Sequence, residues 1–161
     1  MKFTSDEMVK APIDHVFRAC TDFETFARLG RTRGARVART DDLGAPGPGM
    51  TWDLAFRLRG RAREVEVRMR RFDRPSGFVA DSLSGGLEAV ISLKLTEIPP
   101  GGTRMVSTIN IQARSLPGRI IMQSLRLVRG RVRRRIAMRA EAFARRIEID
   151  WRRKLIRRGA G

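Results

Sequence analysis

Residues 9–29 read VKAPIDHVFRACTDFETFARL, and this stretch governs the reading of what surrounds it. Ala11-Pro12 ends an extended segment and supplies a proline at a helix start, where its missing N–H is not needed. Ile13, Val16, Phe17 and Cys20 then fall at i, i+3, i+4 and i+7, one face of a short helix. Thr21 and Glu24 form a capping-box pattern that opens a second helix, with Phe23, Phe26 and Ala27 on its apolar side and Gly30 as its stop. Upstream, residues 2–10 (KFTSDEMVK) mix polar and apolar side chains without helical spacing, as an edge strand does.

Downstream of Gly34 the period changes to two and holds for some eighty residues. Trp52, Leu54, Phe56 and Leu58 alternate with Thr51, Asp53, Ala55 and Arg57, and Val65, Val67 and Met69 with Glu64, Glu66, Arg68 and Arg70. Leu87, Ala89, Ile91, Leu93 and Leu95 repeat the pattern, as do Met105, Ser107, Ile109 and Ile111. Such alternation marks strands with one wet and one buried face. The breaks between them are short: Gly60, Pro75-Ser76-Gly77, Gly85-Gly86 and Pro99-Pro100-Gly101-Gly102. Tight turns imply an antiparallel meander, because parallel neighbours need crossovers of about a dozen residues. Residues 41–49 (DDLGAPGPG) form the one longer loop.

From Pro117 to Arg158 there is no further proline, and Ile121, Leu125, Val128, Val132, Ile136, Ala140, Phe143, Ile147, Trp151 and Leu155 follow one another in steps of three or four. That spacing predicts one long amphipathic helix, about 60 Å if unbroken. Gly130 is its expected kink or close-approach point. The first half is expected to cover the sheet and the second half to project or meet another surface.

Composition sets the outer limits. The chain has 161 residues, 34 Lys+Arg against 17 Asp+Glu, and a net charge of +17. This length suits one domain. A hydrophobic fraction of 42% is enough to build a core, so a folded chain is expected. The single Cys20 rules out an internal disulfide and suggests a reducing compartment; with no apolar run near ~20 residues and no apolar leader after Met1-Lys2, a cytoplasmic protein is expected. One histidine, His15, leaves no multi-histidine metal site. The charge is uneven: residues 1–113 hold 18 basic and 14 acidic side chains, residues 114–161 hold 16 and 3.

The order of strand, two short helices, meander and long closing helix resembles the START-like helix-grip superfamily (SRPBCC), in particular its bacterial polyketide cyclase/dehydrase and lipid-transport group. The resemblance spans residues 2–148. It is most specific in VKAPIDHVFRACTDFETFARL, which is similar to that family's Val-x-Ala-Pro-x-x-x-Val-Phe opening followed by Asp before the second helix. It implies an α+β fold in which a curved antiparallel sheet of about seven strands wraps around a long C-terminal helix, with two short helices after the first strand. Residues 1–148 would form the ligand-binding domain and residues 149–161 a basic extension of the last helix. A cavity between sheet and helix would hold an apolar or aromatic small molecule.

Curvature gives the cavity a physical reason, since a bent sheet cannot touch a straight helix everywhere and side chains must fill the gap or leave a pocket. The candidate lining is Trp52, Leu54, Phe56, Val67, Met69, Ile91, Leu93, Ser107 and Ile109, with Ile121, Leu125 and Val128 from the helix. Each could equally pack as ordinary core. The function expected is noncovalent binding or transport of a small hydrophobic ligand, lipid-like or polycyclic aromatic, with no metal and no organic cofactor. An enzyme of the cyclase/aromatase type is the first alternative, but no catalytic constellation is visible. His15 reads as a surface or capping residue and Cys20 as a buried inert thiol; Glu7, Arg39 and Asp81 are candidate inward polar anchors; there is no tyrosine. No Gly-Lys-Ser/Thr follows Pro48-Gly49, so a phosphate loop is excluded.

The second alternative is a protein acting through its basic helix. Arg131, Arg133, Arg134, Arg135, Arg139, Arg145, Arg146, Arg152, Arg153, Lys154, Arg157 and Arg158 share that helix with the stripe Phe143, Ile147, Trp151 and Leu155. A solvated face or an oligomer contact such as a homodimer, an anionic membrane surface, and nucleic acid all remain open as partners for Arg131–Arg158.

Overall fold

The computed structural model describes residues 1–160. The chain runs β1 (Lys2–Val9), α1 (Ile13–Cys20), α2 (Phe23–Thr32), β2 (Arg36–Arg39), β3 (Thr51–Leu58), β4 (Arg61–Asp73), β5 (Gly77–Ser84), β6 (Leu87–Ile98), β7 (Gly102–Ala113), α3 (Leu116–Leu127) and α4 (Arg129–Gly159). The seven strands form one sheet in the order β1-β7-β6-β5-β4-β3-β2, antiparallel throughout. Six consecutive hairpin partners are thus closed by β1 returning to β7, as the alternation and short turns require.

Register lines up one apolar row across the sheet, Phe3 opposite Ile109, Ile109 opposite Ile91, Ile91 opposite Ala80, Ala80 opposite Met69, and Val67 opposite Trp52, while Met8, Val79, Leu83, Val90 and Val106 alternate with it onto the other face. The other face is wet and carries cross-strand ion pairs such as Asp6–Arg104 and Asp81–Arg70. A bulge between Met69 and Arg71 shifts the β4–β5 register, and a bulge of this kind bends its strand. At Arg59-Gly60 both φ values are positive (52° and 76°), the primed turn that matches strand twist in a two-residue hairpin.

The main core lies at the β1 end. Val9, Ala11, Val16, Phe17 and Cys20 pack with Leu93, Leu95, Met105, Ala144 and Ile147. Thr103 Oγ1 donates to the Ala11 carbonyl at 2.8 Å, tying β7 to the strand–helix corner. Ala144 and Ile147 belong to the second half of the long helix, so that half seals the core instead of projecting. The apolar stripe Phe143, Ile147 and Trp151 is committed inward for the same reason, and only Leu155 of that row is exposed.

Two local expectations shift by a residue or two. Thr21 does not cap α2; it ends α1, its hydroxyl donating back to the Phe17 carbonyl at 2.8 Å, and Asp22 takes the cap by accepting from Thr25 N at 3.1 Å. The C-terminal helical run is interrupted at Val128 (φ −109°, ψ 12°), not at Gly130, whose missing side chain faces open space. The start of α3 is fixed by close approach: a Cβ on Gly118 would lie 2.2 Å from the Gly86 carbonyl oxygen. The middle of α4 is fixed by Ala144 and Ile147. Two anchors on a bent sheet need not share one straight axis, and the helix yields between them.

Candidate functional site

The helix α2 has an apolar stripe, Phe23, Phe26, Ala27 and Gly30, yet none of its residues is fully buried. The reason is a gap beneath it. Ala35 N bonds to the Gly30 carbonyl at 3.0 Å, and a Cβ on Gly30 would sit 3.2 Å from Val37 Cγ2, so the C-terminal end of α2 is held against β2. At the N-terminal end the Phe23 ring stands between helix and sheet, 5.1 Å from Trp52 and 5.9 Å from Phe78, both tilted or edge-on. Between these supports lies a cavity of about 400 Å³ that opens broadly to solvent. Its roof is Phe23, Phe26, Ala27 and Gly30; its side is Ala35 and Val37; its floor is Trp52, Leu54, Val67, Met69, Phe78, Ala80 and Ile91. No charged side chain, hydroxyl or amide lines it, and the indole N–H of Trp52 is the sole side-chain N–H donor.

Of the expected lining, Trp52, Leu54, Val67, Met69 and Ile91 come together here. Leu93 is taken up in the main core. Ser107 is hydrogen-bonded to Ser5 at 2.6 Å. Phe56 lies near the far end of β3, opposite Arg63, and Ile109 between Phe3 and Ile91, both half-buried. Ile121, Leu125 and Val128 are half-buried on or just after α3, where Ile121 Cδ1 reaches the β5–β6 turn. No residue of α3 or α4 lines the cavity, so its partner wall is α2 and not the long helix. The long helix is occupied at the β1 end of the same face, against β1 and α1, and meets α2 where Phe143 stands 6.0 Å from Phe26. The α2 stripe, Val37, Phe78 and Ala80 are wall residues that sequence reasoning does not assign. A signal for α2 exists, an apolar i, i+3, i+4, i+7 row on a helix too short to shape its own core.

Polar groups do not converge on this space. Asp81 points to the wet face and pairs with Arg70, because it alternates with the inward Ala80 and Ser82. Arg39 is in the inward row, opposite Trp52, with its guanidinium 5.9 Å from the indole, but it is held bidentately by Asp41. That guanidinium, together with the N–H groups of Thr51 and Leu43, keeps the Asp41 carboxyl well below the usual carboxylate range. Glu7 faces inward opposite Met105, far along the sheet from Trp52. His15 packs between α1 and α4 with its ring 5.0 Å from Trp151; burial pushes its pKa down, opposed by a hydrogen bond to the Ile147 backbone. Burial raises the Cys20 thiol to about 12, leaving it un-ionised at neutral pH. Among the described residues no cluster of His, Cys, Asp or Glu could hold a metal ion. A larger depression of about 590 Å³ lies on the wet face among Arg36, Asp53, Glu64, Glu66 and Arg114, charges of both signs.

No protein-family model and no curated protein matches the chain by sequence. Solved structures do match. Protein TTHA0849 from Thermus thermophilus superposes with a TM-score of 0.61 over 92% of this chain and 94% of that one, at 15% identity. Ara h 8.0201 gives 0.57 over 92% and 95%, also at 15% identity. The Zhui aromatase/cyclase from Streptomyces sp. R1128 gives 0.56 over 71% and 69%, again at 15%.

The chain has a helix-grip fold. The helix-grip architecture accounts for the positions just described: the long helix and α1 together seal the β1 end of the sheet, and α2 reaches across to β2 at the other end. No helix among the described residues is long and apolar enough to cross a membrane.

Proposed function

We propose that this protein binds a small, flat, uncharged apolar molecule noncovalently in the cavity under α2. One observation carries the reading: a space of about 400 Å³ walled entirely by apolar and aromatic side chains, within the ~300–1,000 Å³ typical of small-molecule sites. Water in such a space finds no hydrogen-bond partner on the wall apart from the Trp52 indole, so an apolar occupant displaces it with gain. The rings of Phe23, Trp52 and Phe78 offer faces and edges suited to an aromatic ligand. That a helix-grip neighbour is an aromatase/cyclase agrees with a ring-shaped occupant. A cyclase reaction on this chain would need a group that takes or gives a proton within reach of the ligand, and the lining residues include none. We therefore favour binding or carriage over turnover.

A ligand burying ~300 Å² of apolar surface gains about 7.5 kcal/mol at most, which limits simple ligands to micromolar affinity or weaker. The test is titration with N-phenylnaphthylamine, a neutral dye that brightens in apolar surroundings, since a charged dye would report the +17 surface instead. Saturable one-to-one binding that does not change with salt is expected. The absence of saturable binding by this dye and by a panel of neutral polycyclic aromatics would reject the proposal.

A further inference from the structure

The geometry points to the outward face of α4 as a docking surface for an anionic lipid bilayer. The inward face of α4 is spent on Ala144 and Ile147. Met138 and Ile156 lie nine residues either side of Ile147, which at about 100° per residue puts both half a turn away from it, and Ile149 falls close to the same line. These three are 63%, 71% and 46% exposed, a second apolar stripe with nothing upon it. Arg134 and Arg152 border the stripe on one side, Arg135 and Arg153 on the other, and Arg145 falls within it between Met138 and Ile149, all exposed.

The whole helix carries thirteen basic and three acidic residues, and two of the acids are engaged, Glu141 with Arg145 and Glu148 with the Lys10 N–H. Exposed apolar side chains set among arginines are the arrangement an anionic bilayer surface accepts: guanidinium groups, that of Arg145 included, reach phosphates while Met138, Ile149 and Ile156 enter the headgroup–acyl boundary. The preceding helix continues the character, with Leu116, Ile120 and Leu127 exposed on one face at spacings of four and seven.

Charge alone would suit nucleic acid equally, but isoleucine and methionine gain nothing against a phosphodiester backbone, and this face has no aromatic ring on which a base could stack. A second copy of the chain is disfavoured because it would press one strongly basic helix against another. Since no helix can span the bilayer, α4 would lie along its surface. The membrane contact thus uses the side of α4 opposite to Phe143, Ile147 and Trp151.

The test compares sedimentation of the full chain with vesicles of phosphatidylcholine alone and with an equal mixture of phosphatidylglycerol and phosphatidylcholine, alongside binding to a duplex oligonucleotide. Wild type is expected to bind only the anionic vesicles, less tightly as salt rises. Met138→Ser, Ile149→Ser and Ile156→Ser together change exposed residues only; vesicle affinity should fall roughly tenfold or more while any oligonucleotide binding is unmoved. Replacing Arg134, Arg135, Arg152 and Arg153 by glutamine should weaken both by a similar factor or more. Vesicle binding by the serine variant equal to wild type would overturn the proposal in favour of charge adsorption. So would failure of the folded wild type to bind anionic vesicles, or oligonucleotide displacing it fully from them.

Discussion

Replacing Ala27 by leucine separates a hollow under α2 from a packed core by the sign of the effect. Ala27 is half-buried and lines the 400 Å³ cavity with Leu54, Val67 and Ile91. Leucine adds three carbons. At about 0.8 kcal/mol per fully buried methylene, and allowing half of that for a half-buried position, the added contact stabilises the fold by about 1 kcal/mol. Leucine and alanine differ little in helix propensity, so α2 itself is nearly indifferent to the change. For a chain of this length about 1 kcal/mol raises Tm by about 2–4 °C. The same side chain occupies ligand space, and dye affinity should drop by roughly tenfold or more, as the loss of a few buried ligand carbons dictates. Had the residues under α2 packed solidly, the extra carbons would instead strain the core and cost about 1–3 kcal/mol. Calorimetry and dye titration on the same sample decide the matter: a lowered Tm with unaltered dye binding refutes the cavity.

Ile147→Ala should remove about 2–5 kcal/mol, because Ile147 is 1% exposed and joins α4 to α1 and the sheet; urea unfolding monitored by circular dichroism measures it, and a loss below about 1 kcal/mol would mean that α4 does not seal the core. His15 has a pKa below its ordinary 6.5 because burial disfavours the imidazolium. The unfolded chain therefore binds the proton more readily, so the stability due to neutral His15 is complete above pH 6.5 and is lost as pH falls from there through the folded-state value. NMR titration should place the His15 midpoint below 6.5, and His15→Gln should flatten the pH dependence of Tm in that window; a midpoint above 6.5 contradicts the packing under Trp151. Gly86→Ala should destabilise by more than about 1 kcal/mol, since φ is +78° and the new Cβ would lie 1.9 Å from Ser115 Oγ; hydrogen exchange should rise first in the β5–β6 turn and the start of α3, and exchange like wild type there would deny the contact.

What can be read in the chain, and what cannot, divides along the distinction between a face and its partner. Alternation such as Trp52, Leu54, Phe56 against Asp53, Ala55, Arg57 states which side of β3 is dry, and the antiparallel order follows because the turns are too short for anything else. Spacing in steps of three and four states that a helix has an apolar side, and α1, α2, α3 and α4 all appear where that spacing lies. Neither pattern says what covers the side it reveals. In α4 two apolar rows lie half a turn apart; Phe143, Ile147 and Trp151 form the more continuous one, which spacing alone offers to a membrane, whereas α1 claims it and leaves Met138, Ile149 and Ile156 outside. In α2 the difficulty is reversed. Its row Phe23, Phe26, Ala27 and Gly30 is as regular as that of a buried helix, and the cavity exists because one ring of that row, Phe23, rests on Trp52 and Phe78 and holds the helix off the sheet, while Gly30 draws the other end down to Val37. Residue size at two positions, one large and one absent, sets how each end of α2 meets the sheet, and periodicity is blind to it because both positions count only as apolar.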